Sequence, residues 1–231
     1  SLAAGGTTRL TADTGVSVTG TLAVTGAITS TDDLTIPDKI IHSGDTNTAI
    51  RFPAADTVSV ETGGSEAFRV DSSNRLLVGT SSSRQIGGVT GKFQIEGTTA
   101  NSSSLSVVRN AADNGTPFLV LGKSRGATVG SNTIVQDNDG LGEIRFTGAD
   151  GTDLNTRGAT IEAFVDGTPG ANDMPGRLVF STTADGAATS TTRLTIDSAG
   201  LVKIPDNGKF VAGAGNDLQI YHDGSNSFIK D

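Results

Sequence analysis

The residues of this chain with most chemistry to offer are its acidic side chains. Asp137, Asn138, Asp139 and Gly140, followed by Glu143, cluster oxygen ligands of the kind a calcium ion takes. They lack the spacing of a helix–loop–helix calcium loop, and a hairpin turn uses the same residue types. Asp150-Gly151-Thr152-Asp153 offers the same two readings. His42 and His222 are the only histidines. Three copies of one of them on a threefold axis would present imidazole nitrogens to a metal. No His-x-His pair strengthens that reading, and surface or turn positions compete with it.

Catalysis by these groups meets obstacles. Glycoside hydrolysis uses two carboxylates facing one cleft, one with a raised pKa. Most Asp residues here, 13 of 20, adjoin Gly, Asn or Ser, where the side chain caps a turn. Sugar clefts favour aromatic platforms, and the chain has no Trp and one Tyr. The sequence has one Gly-x-Ser-x-Gly run, Gly122 to Gly126, and no phosphate loop. With two His and no Cys, nucleophile–base chemistry lacks its parts. The chain is therefore expected to be no enzyme, and no catalytic, cofactor or metal residue is assigned. A polysaccharide-degrading enzyme remains the alternative if a carboxylate pair is hidden in the fold.

The elements that would position these groups follow from composition. Of 231 residues, 31 are Gly, 32 Thr and 22 Ser, and Asp outnumbers Glu by 20 to 5. β-branched and turn residues abound, while helix formers are scarce. Almost no helix is expected. The absence of Cys excludes disulfides and zinc–thiolate sites. A net charge of −8, with basic residues scattered singly, argues against nucleic acid. No apolar run approaches the roughly 20 residues of a membrane helix. The chain starts at Ser1 and stops at Asp231 just after an apolar stretch, and it reads as a piece of a longer polypeptide.

Periodicity divides the chain into four parts. Residues 1–36 hold a short polar linker and then a strict alternation. Val16, Val18, Gly20, Leu22, Val24, Gly26, Ile28, Leu34 and Ile36 all sit at even positions. Period 2 marks strands with one buried face. Within it a hexapeptide repeats, Val18 to Ala23 and then Val24 to Thr29. Either the glycines bend it into short β-helix strands, or three chains wind together with the even side chains on a common axis. Residues 37–85 read as a β-meander, with Val58 and Val60, Phe68 and Val70, and Leu76 and Val78 around tight turns.

Residues 86–191 offer candidate strands at 92–96, 104–109, 117–122, 132–136, 142–147, 158–165 and 177–182, a spacing that suggests a β-sandwich-like middle region. Residues 192–231 return to hairpins, with Leu218 and Ile220 before the His222–Ser225 turn. The run Val70 to Val78 matches Ile196 to Ile204 position by position, with Asn74 and Gly200 at the left-handed turn position. Ile36-Pro37-Asp38 is echoed by Ile204-Pro205-Asp206. Apolar residues come in short groups, so one chain looks poor at covering its own apolar faces. Association of several chains would solve that.

Several phrases resemble tail-fibre proteins of tailed bacteriophages, especially marine and cyanobacterial ones. They are Leu141 to Gly151, Asp166 to Gly170 with Met174 to Thr183, Arg193 to Val202, and Asn216 to Gly224. The resemblance spans about residues 30–230. It implies an all-β, elongated, intertwined homotrimer, with β-helix and β-meander shaft modules flanking the middle region. Its partners would be itself, other phage tail proteins and a host surface receptor, in some cases a polysaccharide, with no nucleic acid and no membrane insertion. Its place would be the virion tail. Such fibres often end in an intramolecular chaperone, and none is visible within these residues. A bacterial surface adhesin or monomeric β-solenoid is the rival reading. The loops at 110–116, 123–131, 148–157 and 166–176 are where receptor contact is expected.

Overall fold

A computed structural model describes residues 18–231; Val16 and the expected linker at 1–13 lie outside them. The chain divides into two units, Ser1–Asp38 and Lys39–Asp231.

In the first unit, residues 18–38 form no paired strand. The backbone bends at 19–20, 25–26, 31–32 and 37–38, one bend every six residues. The hexapeptide is therefore real as a conformational period. Its apolar side chains Val18, Leu22, Val24, Ile28 and Leu34 are all exposed.

The second unit is built from three sheets and has no α-helix; its one helical turn is the 3-10 turn Asn101–Ser103. The first sheet holds β1 (Lys39–His42), β2 (Asp45–Ala54), β3 (Thr57–Thr62), β4 (Ser65–Val70), β5 (Leu76–Val78) and β6 (Phe93–Ile95), in chain order. The expected meander is present: Val60 faces Phe68, and Val70 faces Leu76. Pro53 is accommodated where the β2–β3 register slips between Arg51 and Ala54, the kind of position where a missing donor is tolerated. β6 pairs with β5 in parallel, which requires the crossover segment 79–92. The sheet thus runs past residue 85. Gly79 opens this crossover at φ +75, and a Cβ there would lie 2.1 Å from the Glu96 carbonyl oxygen.

The second sheet orders β11 (Val202–Lys203), β10 (Ser190–Ile196), β9 (Gly176–Thr183), β8 (Arg157–Val165) and β7 (Gly140–Thr147), all antiparallel. Strand pairing therefore continues across residue 191. Beyond β6, the strands of the middle region lie in one sheet, not a sandwich, among the described residues. The reason is that the expected strands at 104–109, 117–122 and 132–136 find no strand partner. The third sheet is β12 (Lys209–Ala212), β13 (Leu218–His222) and β14 (Ser227–Lys230).

The sequence echo at Val70 and Ile196 is a structural identity. Asp71 N–H donates to the Arg75 carbonyl and Asn74 N–H to the Asp71 carbonyl. Asp197 N–H donates to Leu201 and Gly200 N–H to Asp197 in the same way. Asn74 and Gly200 both take left-handed backbone, φ 58 and 79.

Candidate functional site

Cross-strand register decides which side chains share a sheet face. In the first sheet one row crosses all six strands: Ile40, Ile50, Val60, Phe68, Val78 and Ile95. Beside it run Val58, Val70, Leu76 and Phe93. The opposite face carries Lys39, Arg51, Ser59, Arg69, Leu77 and Gln94. Burial is inverted relative to polarity. Ser59 and Gln94 are buried with Leu77, while Ile40, Ile50, Phe68, Val70 and Phe93 are exposed.

The second sheet repeats the inversion. Its apolar face holds the row Ile144, Ile161, Phe180 and Leu194, and the row Ala163, Leu178, Ile196 and Val202. Its polar face holds Arg145, Thr160, Ser181 and Thr192. Thr160 and Ser181 are buried; Ile144, Phe146, Ile196 and Val202 are exposed. In the third sheet the row Phe210, Ile220 and Ile229 is exposed as well.

The polar faces are covered by the chain's own loops. Gln94 Nε2 donates to the carbonyls of Arg84 and Gly91, and its Oε1 accepts from Arg84 N–H. A few residues on, Arg145 donates to the Gly87 carbonyl, and Gly87 N–H donates to Leu154. Segment 84–91 therefore lies on the polar side of both larger sheets. No described element covers the apolar faces comparably. Among the described residues, five hydrophobic side chains are buried against 36 large ones exposed. The surface with most unused binding capacity is this set of apolar faces.

The residues singled out for metal or catalytic chemistry are spent on structure. Asp139 receives both Arg125 nitrogens, at 2.6 and 2.7 Å, and the Gln136 N–H. Those bonds, the Arg125 pair foremost, hold its carboxyl well below the usual carboxylate range. Asp137 accepts from Gly167 N–H, while Asn138 receives Arg177. Glu143 turns to Arg145 at 2.5 Å and Arg157 at 3.5 Å. Asp150 accepts from the N–H groups of Asp153 and Thr152 and the Thr156 hydroxyl, which lower its pKa. His42 lies 3.9 Å from Asp45, and His222 Nδ1 lies 3.2 Å from Ser227 Oγ, both at exposed hairpin ends. No group of three or more His, Cys, Asp or Glu is placed to hold a metal among the described residues.

One carboxylate pair was missed by sequence reasoning. Glu143 and Glu162 stand directly opposite on the polar face of β7 and β8. They are far apart in sequence, and only the register brings them together. Arg145 and Arg157 neutralise Glu143, and Thr160 Oγ1 donates to Glu162. Like charges facing each other repel, and the flanking arginines offset this. The cluster ties β7 to β8.

Two of the expected contact loops are braced from beyond their ends. Arg109 forks onto Asp113. In 166–176, Asp166 accepts from Ser198 N–H and pairs with Arg177.

No family model matches this sequence, and no curated protein matches it. Solved structures do. The carboxy-terminal domain of the bacteriophage T5 L-shaped tail fibre superposes with a TM-score of 0.53 at 13% identity, covering 74% of this chain and 76% of that one. The chain shares the fold of a phage tail-fibre domain. A structure of the same T5 domain with its intramolecular chaperone gives 0.50 at 14% identity, covering 74% of this chain and 53% of that one. The chain thus spans about half of that longer chain.

Proposed function

We propose that this chain is a structural segment of a phage tail fibre, of the kind found in cyanophage-like viruses. It assembles as an intertwined homotrimer in the virion tail. It spaces and stiffens the adhesive apparatus, joins other tail proteins, and supports attachment to a host surface receptor, a polysaccharide among the candidates. It acts mechanically and multivalently, by weak contacts repeated around a threefold axis, and performs no catalysis.

The observation that carries this reading is the inverted burial of the sheets. The chain seals its polar faces and leaves its apolar ladders open, which suits a molecule whose core is completed by copies of itself. The likeness in fold to a tail-fibre domain supports the same reading. The carboxylates, engaged by arginines and turn N–H groups, support a non-catalytic role.

Light scattering coupled to size exclusion tests it. The expected mass is about 70 kDa, three times that of one chain. A folded monomer would overturn the proposal and favour a solitary β-solenoid or adhesin.

A further inference from the structure

Residues 104–122 stand apart from the rest of the second unit. No backbone–backbone hydrogen bond begins or ends there among the described residues. A segment that long with open N–H and C=O groups is unusual in a folded domain. It is not a polar loop. Leu105, Val107 and Val108 are exposed, and Phe118, Leu119, Val120 and Leu121 are between 51% and 80% exposed. Four consecutive apolar residues point to both sides of an extended chain. Such a run requires cover on two faces, as in a strand inside a sheet. The tip between the two apolar stretches is braced by Arg109 on Asp113, with Gly115 N–H on the same carboxylate. Two limbs without turn or bend flank this tip, and neither has a backbone hydrogen-bond partner among the described residues.

Partners of the right kind exist in the same molecule. The second sheet ends at β7, which pairs only with β8, and at β11, which pairs only with β10. β7 adjoins the segment: Leu119 and Leu121 line one shallow depression with Leu141, Gly142, Ile144 and Ile161. The segment thus leaves the sheet beside an open edge and beside the uncovered apolar face. A second copy offers the same edge and the same face. Each chain carries one such segment and, in this sheet, the open edges β7 and β11, so around a closed ring every copy can both give a segment and receive one.

We propose that residues 104–122 of each chain add as strands to an open sheet edge of a neighbouring copy. The segment thereby becomes the strand-exchange element of the assembly. This rests on the trimer reading and names the part of the chain that interlocks it.

Peptide-resolved hydrogen–deuterium exchange on the full chain, run on material whose mass is measured alongside, tests the proposal. The expected result is trimer mass with the amides of 105–108 and 118–121 exchanging at least 100-fold more slowly than in an unstructured peptide. Trimer mass with those amides exchanging freely overturns strand exchange and leaves the trimer reading standing. Monomer mass overturns both. A Val120→Pro variant separates protection between chains from protection within one, because the Val120 N–H has no partner among the described residues of its own chain. A lowered dissociation temperature of the trimer is expected, and a trimer as stable as the parent overturns the proposal.

Discussion

Val58 and Ser59 are neighbours on β3, and the serine is the buried one, 1% exposed against 41% for the valine. In a self-sufficient sheet the order would be reversed, because burying an apolar side chain contributes roughly 1.5–3 kcal/mol while burying a hydroxyl costs free energy unless it is hydrogen-bonded. The chain reaches its lowest free energy only when something covers Val58 and its row.

Charge placed on that face is expected to abolish assembly. Phe68 stands in the middle of the six-strand ladder. Phe68→Asp should cost the assembly on the order of 3–5 kcal/mol per chain from lost packing alone, with three like charges then brought together. Light scattering should show monomer or aggregate. Ser59→Ala is the control on the opposite face. Its hydroxyl has no hydrogen-bond partner among the described residues, so stability should be unchanged or raised and the mass should not change.

Glycine at the crossover entrance is expected to be irreplaceable. Gly79→Ala sets a methyl group against the Glu96 backbone in a left-handed conformation. The conformation costs roughly 1–2 kcal/mol, and the clash adds to it. Gly44→Ala, at φ +82 with open space around it, should incur the conformational cost alone. Thermal melts of the two variants should separate clearly, with Gly79→Ala the lower.

Acid should destabilise the fold within a defined window. Burial works against the Asp71 carboxylate, but Arg75 and the N–H groups of Arg75 and Ser73 outweigh it and lower its pKa. Lys203 foremost, then the Leu201 N–H, lowers that of Asp197. Arg125 does the same for Asp139. A depressed folded-state pKa gives stabilisation that is complete above the unfolded value of about 3.9 and is lost as pH falls toward the folded value. Melting temperature should be flat from about pH 7 to 5 and drop steeply below about pH 4. Asp71→Asn and Asp197→Asn should each flatten that acid limb. An unchanged limb in both variants would count against the turn carboxylates as its cause.

Much of the fold was legible because short-range chemistry wrote it. The turn at Asp71 and its counterpart at Asp197 follow from an Asp that caps its own turn and an Asn or Gly that accepts positive φ. The β3–β4–β5 hairpins follow from two-residue alternation. Three things were not legible. The parallel pairing of β6 depends on a crossover, and no local pattern announces it. Pairing of 104–109 and 117–122 was expected from their apolar content, but apolar content states only that cover is needed. Glu143 and Glu162 meet through a register fixed by whole strands. The candidate metal ligands were read from residue type, and the structure assigns their oxygens to arginines and backbone N–H groups.

The bends that recur every six residues between 19 and 38 make the first unit a ruler. Inserting or deleting one hexapeptide keeps Leu22, Val24 and their successors on the same side and keeps every bend in phase. A change of two or four residues preserves the alternation but shifts the bends, and an odd change turns the apolar side chains over. Length in this stretch is therefore free to change only in whole steps, so duplication or loss of a repeat lengthens or shortens it without altering the pattern of bends and side chains.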